Sequence, residues 1–317
     1  MKKFLLLSAI VLSQVCVAQN LKVGQLSNVT RLTQDGVKYE NPRWSPDGSK
    51  IAFTEYGYNN LFVINQNGTN KAQISSDKGV GFMYQWSADS REILVRDLRY
   101  ENVSGQIKRL QAAWSIDMAG NKTRMTEDVT RMEPAAWRYG INGEKTVISL
   151  DAKTTTQSTR YLTKSLATTV AKQAGANISL IVNKEGLSVV NARGVKTLIN
   201  NKPSFCPALS PDGSKIVFNE LNDIYIINID GSGKKLLARG FNPTWANDSQ
   251  IIFEKSTDDG HNYTSSDLYI INANGSGLKA ITATSDKMEM CPCVSPDGNK
   301  IVFTSFTDGQ IYTADLK

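Results

Sequence analysis

The chain contains one histidine, His261, in the stretch STDDGHNYTSSD. Proton-transfer chemistry near neutral pH leans on histidine more than on any other side chain. A Ser-His-Asp arrangement would need His261 as its base, yet it stands in what reads as an expanded loop between two strands. No G-x-S-x-G nucleophile elbow accompanies it. One histidine with dispersed cysteines is a poor set of zinc ligands. Asp258, Asp259 and Asp267 offer hard oxygens for calcium, but without the D-x-D-x-D-G order of an EF-hand loop, so a polar surface loop is the expectation. The residues therefore point to no catalytic group, no metal and no cofactor.

Of the four cysteines, Cys16 lies in the opening segment MKKFLLLSAIVLSQVCVAQN. Its basic start, apolar run and small Ala18 have the layout of a secretory leader over residues 1–18, cleaved after Ala18. Lipid attachment at Cys16 is disfavoured, because Ser13, Gln14 and Val15 precede it where that signal wants leucine and small residues. Export leaves Cys206, Cys291 and Cys293, an odd number for an oxidising compartment. Small buried thiols are expected, with a bridge from Cys206 to Cys291 or Cys293 as the alternative.

No later segment has the roughly 20 apolar residues that span a bilayer. With 40% hydrophobic and 21% charged residues, the chain can bury a sizeable core. Its formal charge of +6 loses two units with Lys2 and Lys3. The remaining basic residues are scattered, whereas nucleic-acid binding would want a clustered stripe. A monomeric protein exported to the periplasm or beyond, with no nucleic acid as partner, is the expectation.

The elements that must position any site come from a repeat. NPRWSPDGSKIAF, CPALSPDGSKIVF and CPCVSPDGNKIVF recur along the chain. Aligned on the residue before this turn, Trp44, Trp86, Trp137, Leu209, Trp245 and Val294 form a column of apolar anchors. Their spacings are 42, 51, 72, 36 and 49 residues. Periods of about 40 to 50 residues with strand-like segments between turns read as propeller blades. In Ser-Pro-Asp-Gly, proline presets φ, aspartate caps the backbone and glycine takes positive φ. A second hairpin follows at QNGTN, IDGSG or ANGSG.

Pro42, Pro207, Pro243 and Pro292 precede the anchor by two. Proline has no N–H for a ladder, so these positions belong on an edge facing the channel of a ring. The last unit ends after its third strand, and NVTRLT, Asn28 to Thr33, supplies the missing fourth. Residues 19–317 thus read as one all-β domain: a six-bladed propeller of four-stranded blades closed by the N-terminal strand. The 72-residue gap leaves room for a seventh, since ISLIVNKEGLSVVN begins a sheet-like segment of its own.

Function concentrates on loops held by a rigid scaffold. Four before the anchor, Glu40 and Glu133 stand where other units place Phe82, Phe205, Phe241 and Met290. One before it, Arg43 replaces small or neutral residues. With Arg131, Lys287 and Glu289 nearby, these charges are the candidate partner-binding groups at the channel mouth. The tryptophans of the anchor column read as inter-blade core, leaving Trp114 as the one indole expected to be exposed.

The SPDG turn together with IINIDGSGKKLL and IINANGSGLKAI resembles the TolB-like β-propeller family of the Tol–Pal envelope system, over about Asn28 to Lys317. TolB carries an α/β domain ahead of its propeller, whereas here the leader runs almost directly into the first unit. Similar propellers also precede hydrolase domains in prolyl-oligopeptidase-type peptidases, and the chain stops where such a domain would begin. The resemblance implies a non-enzymatic scaffold that binds an envelope protein or peptide. The alternative is a carbohydrate-binding propeller or a polysaccharide lyase-type enzyme on the same ring.

Overall fold

A computed structural model describes residues 26–140, 145–149, 178–183 and 186–316. Residues 1–18, expected above to be a leader, lie outside these, with Cys16 and Ala18. Among the described residues there is no helix, and six sheets stand in a ring, the architecture of a six-bladed propeller.

Blade 1 comprises Tyr39–Trp44, Lys50–Glu55, Asn59–Asn65 and Ala72–Ser75, paired in that order from the channel outward. Blade 2 uses Gln85–Trp86, Glu92–Arg96, Ala113–Asp117 and Lys122–Arg124. A separate hairpin, Arg99–Val103 with Gln106–Leu110, projects between its second and third strands. Blade 3 is three-stranded: Ser179–Asn183, Gly186–Asn191 and Gly194–Asn200. Blade 4 runs through Phe205–Leu209, Lys215–Glu220, Asp223–Asn228 and Lys235–Arg239. Blade 5 takes Phe241–Asn247, Gln250–Asp258, Tyr263–Asn272 and Lys279–Ala280. All pairings are antiparallel.

Blade 6 takes Glu289–Val294, Lys300–Ser305 and Gln310–Asp315 from the end of the chain and Ser27–Arg31 from its beginning, with Arg31 opposite Tyr312. The N-terminal strand thus closes the ring as the repeat requires. The long gap in the anchor column holds blade 3 and a two-stranded ribbon, Ala136–Tyr139 with Lys145–Ile148. This ribbon is wedged between blades 2 and 3: Ala136 packs on Ile181 and Val190, while Trp137, Tyr139 and Val147 join the blade 2 core.

The middle strands are apolar without alternation because both faces of each sheet are covered by neighbouring blades. In KIAFTE, Ile51 and Phe53 pack toward Val302 and Ile311 of blade 6, and Ala52 faces Ile93 and Val95 of blade 2. All three of these blade 1 residues are fully buried. Truncating a buried phenylalanine such as Phe53 to alanine removes about 3–5 kcal/mol.

The turns behave as their residues dictate. Ser45 Oγ donates to Asp47 Oδ1 at 2.6 Å and accepts the Lys50 N–H at 3.0 Å. Ser210 with Asp212 and Ser295 with Asp297 repeat this, and Gly48, with φ of 71°, takes the left-handed corner. Even the diverged SADS turn keeps it, with Ser87 on Asp89 and Ser90 at φ of 59°.

Candidate functional site

The innermost strands converge on a central cavity of about 40 Å³ lined by Asn41, Pro42, Arg43, Cys206, Pro207, Ala208, Asn242, Pro243, Thr244, Cys291, Pro292 and Cys293. All four recurring prolines face it, as an edge without ladder partners demands. Before each proline the strand carries a bulge whose residue has a left-handed backbone: Asn41, Cys206, Asn242 and Cys291, with φ from 47° to 53°. Such bulges re-aim side chains and recur beside functional openings.

Adjacent inner strands are latched by the anchors. The indole N–H of Trp44 donates to the Cys293 carbonyl at 3.1 Å, Trp86 to Arg43 at 3.2 Å, Trp137 to Gln85 at 3.3 Å, and Trp245 to Ala208 at 3.0 Å. In every case the acceptor is the residue just before the preceding unit's anchor. Trp44, Trp137 and Trp245 are buried and Trp86 half-buried, so the tryptophan column serves the seams between blades. Trp114 is half-buried under the guanidinium groups of Arg99 and Arg124.

The three cysteines are free thiols on the cavity wall. Cys206 Sγ donates to Asn242 Oδ1 at 2.9 Å, and burial pushes that thiol up to about 11 against the pull of Arg43. Burial also raises Cys291 and Cys293. A thiol held neutral is a weak nucleophile, and the three side chains contribute small groups to the wall.

At the mouth formed by the turns between second and third strands lies an aromatic arc. Tyr56 meets Phe306 edge-on at 6.4 Å, and Phe306 meets Tyr263 at 5.5 Å, joining blades 1, 6 and 5. On the other side of the same turn Tyr58 packs on Phe82 at 5.6 Å, and the Arg96 guanidinium covers that ring at 4.5 Å. Phe205 and Leu221 extend the arc to blade 4. Tyr56 is 61% exposed, Tyr263 46%, Phe205 43% and Leu221 76%, so water rather than core meets these groups. Burial against the channel wall, with Glu40 close by, pushes the Tyr58 hydroxyl up to about 12.

The six charged candidates do not form one cluster. Arg43 reaches the cavity and keeps its side chain open to water within the ring. Glu40 is half-buried and accepts the Tyr58 N–H at 2.8 Å, so it braces the Tyr56-Gly57-Tyr58 turn. Glu289 is buried, taking hydrogen bonds from Thr284 at 2.7 Å and Thr282 at 3.2 Å. Lys287 pairs with Asp286 at 3.1 Å and overlies Tyr312 of the third strand, toward the outside of blade 6. Arg131 is exposed and Glu133 half-buried, flanking the core residue Met132.

His261 sits at the exposed tip of the blade 5 hairpin, where its own N–H and that of Asn262 bond to Asp259 and the Gly260 N–H bonds to Asp258. Asp267 is three ladder rungs away and faces Thr282 and Thr284 instead. The three aspartates therefore do not converge.

No protein-family model and no curated protein matches the chain. Solved structures do. A protein assigned as TolB from Agrobacterium tumefaciens is 15% identical, with 91% of this chain and 97% of that one covered at a TM-score of 0.53. The fold is that of the TolB-like propellers. TolB from Acinetobacter baumannii is 14% identical at a TM-score of 0.50; 90% of this chain is covered, spanning 56% of that protein. A gluconolactonase from Xanthomonas campestris is 9% identical at 0.52, with 91% and 89% covered. The same ring thus carries a catalyst in one neighbour, and likeness at this level speaks for architecture alone.

Composition counts gave no hint of the aromatic arc. Its signal lay in the turns themselves: EYGYNN, SFTDG and GHNY put aromatic residues where the repeat otherwise places short polar corners.

Proposed function

We propose that the protein is an exported, single-domain, non-enzymatic propeller that binds a protein or peptide segment in the cell envelope through the aromatic mouth of its channel. The observation that carries this reading is the arc of exposed Tyr56, Tyr58 and Tyr263, backed by half-buried Phe82 and Phe306, beside a cavity that contains Arg43. Exposed aromatics with an arginine are the residue types that dominate binding hot spots. Large apolar groups gathered at one opening mark an interaction surface more strongly than single ones scattered over a protein. Rigid turns preset the arc, which lowers the ordering entropy that a partner must overcome.

Crosslinking pull-down from envelope fractions tests it. The unsubstituted protein should recover an envelope protein that the Tyr56→Ala/Tyr58→Ala/Tyr263→Ala variant does not. Equal recovery by both would remove the arc as the site. Exposed tyrosine faces also suit sugar rings, so recovery of glycans alone would favour a carbohydrate-binding ring.

A further inference from the structure

Arg43 is the one charged side chain among the residues lining the central cavity. Its guanidinium makes no ion pair and no side-chain hydrogen bond with any described residue; the Trp86 latch uses only its carbonyl. The nearby carboxylates are engaged elsewhere: Glu254 accepts the Cys291 N–H, and Glu40 accepts the Tyr58 N–H. Around the guanidinium stand the neutral thiols, the Asn41 and Asn242 side chains and four prolines, a wall without a counter-charge. A guanidinium is a planar fork matched to carboxylate, and charge-assisted pairs of this kind are the strong ones.

We infer that the cavity is a carboxylate-binding site that takes the C-terminal end of a partner chain, carboxylate to Arg43. This deepens the reading above and rests on it for entry from the aromatic side. Arg43 lies one residue before the anchor, whereas the arc is level with the position four before it, occupied by Phe82 and Phe205. A chain end passing the arc therefore meets Asn41, Cys206, Asn242 and Cys291 before it reaches the guanidinium. Its last side chains pack on the tyrosines, and its terminal carboxylate pairs with the fork. At about 40 Å³ the cavity has room for a terminal carboxylate and for no folded element.

The test uses the full chain labelled with 15N at arginine, titrated with N-acetylglycinate, N-acetylglycinamide, acetate and the acid and amide forms of acetyl-Tyr-Phe-Gly. The expected result is a saturable shift of the Arg43 Nε signal with both N-acylated carboxylates and none with the amides. The longer acid should bind at least tenfold tighter than N-acetylglycinate. Arg43→Gln should remove this binding and Arg43→Lys should restore it in part, with melting temperatures unchanged because the guanidinium supports no contact. Equal response to acids and amides, or no response, overturns the site. A response to acetate as strong as to acetyl-Tyr-Phe-Gly overturns the chain-end assignment. Capture of a partner that needs Tyr56, Tyr58 and Tyr263 but ignores Arg43→Gln would leave the aromatic mouth standing and this inference refuted.

Discussion

The indole of Trp44 donates to the carbonyl of Cys293, joining residues 249 apart in sequence across the seam where the last blade meets the first. The bond is one of four identical latches, and it fastens the only seam that brings the end of the repeat back to its start. Trp44→Phe keeps most of the buried ring and leaves the carbonyl without its donor. An orphaned buried acceptor costs about 1–3 kcal/mol. Urea denaturation should show a lower midpoint for Trp44→Phe, with little change in slope. A midpoint equal to the unsubstituted protein's would mean that the latch contributes nothing.

Removing residues 26–33 should be far more damaging. Blade 6 would lose its outer strand and present an unpaired edge along Gln310–Asp315, a template for pairing with other molecules. Calorimetry should give a strongly reduced melting temperature, and size-exclusion chromatography should show aggregates. A synthetic peptide of residues 26–35 added in trans should recover part of both losses.

Lys145 is 1% exposed and bonds Glu92 at 2.8 Å, with Asp89 at 3.4 Å and the Trp137 ring at 5.0 Å. Ser115 also donates to Glu92. Breaking one side of a buried pair leaves an uncompensated charge, at about 3–5 kcal/mol. Lys145→Met should therefore destabilise strongly, and Lys145→Met with Glu92→Gln should be milder than Lys145→Met alone. Chemical denaturation of the two variants checks the order.

Glu254 is buried beside Cys291, and desolvation raises its carboxyl above the ordinary range, with hydrogen bonds from the Cys291 N–H and Asn242 partly opposing this. A folded-state value above the unfolded one means that the native protein holds the proton longer. Stability from this group is therefore greatest below the unfolded value, near 4.3, and declines as pH rises through the folded value. Glu254→Gln should flatten that decline and raise stability at pH 7 while changing little at pH 4. Melting curves across pH 4–8 would refute this if the two proteins stayed parallel.

The repeat made most of the fold legible. A proline two before each anchor, an SPDG corner and an Asn-Gly or Asp-Gly hairpin are local rules with local causes, and Pro42, Pro207, Pro243 and Pro292 all face the channel accordingly. The swap of Ser27–Arg31 into blade 6 followed from a missing fourth strand. The ribbon around Trp137 was not legible, because its docking relies on Lys145 meeting acids of blade 2 that lie over fifty residues away. The site was read only in part. Register placed Arg43 in the channel, but charge alone did not separate it from Glu289, whose neighbours Thr282 and Thr284 enclose it. Tyr56, Tyr263 and Phe306 come from three turns whose proximity exists only once the circle is formed.

Blade 6 is assembled from both termini, with Asn28 bonded to Asp315, 287 positions further along the chain. A strand synthesised among the first must therefore wait, unpaired, for partners synthesised last. Blades 1 to 5 have their strands close together in sequence and are able to form as they emerge, but the final sheet demands the whole polypeptide. Long-range pairing of this sort slows folding. The completed circle, and any mouth that depends on it, consequently comes into being only once the last strand has been made and has met the first.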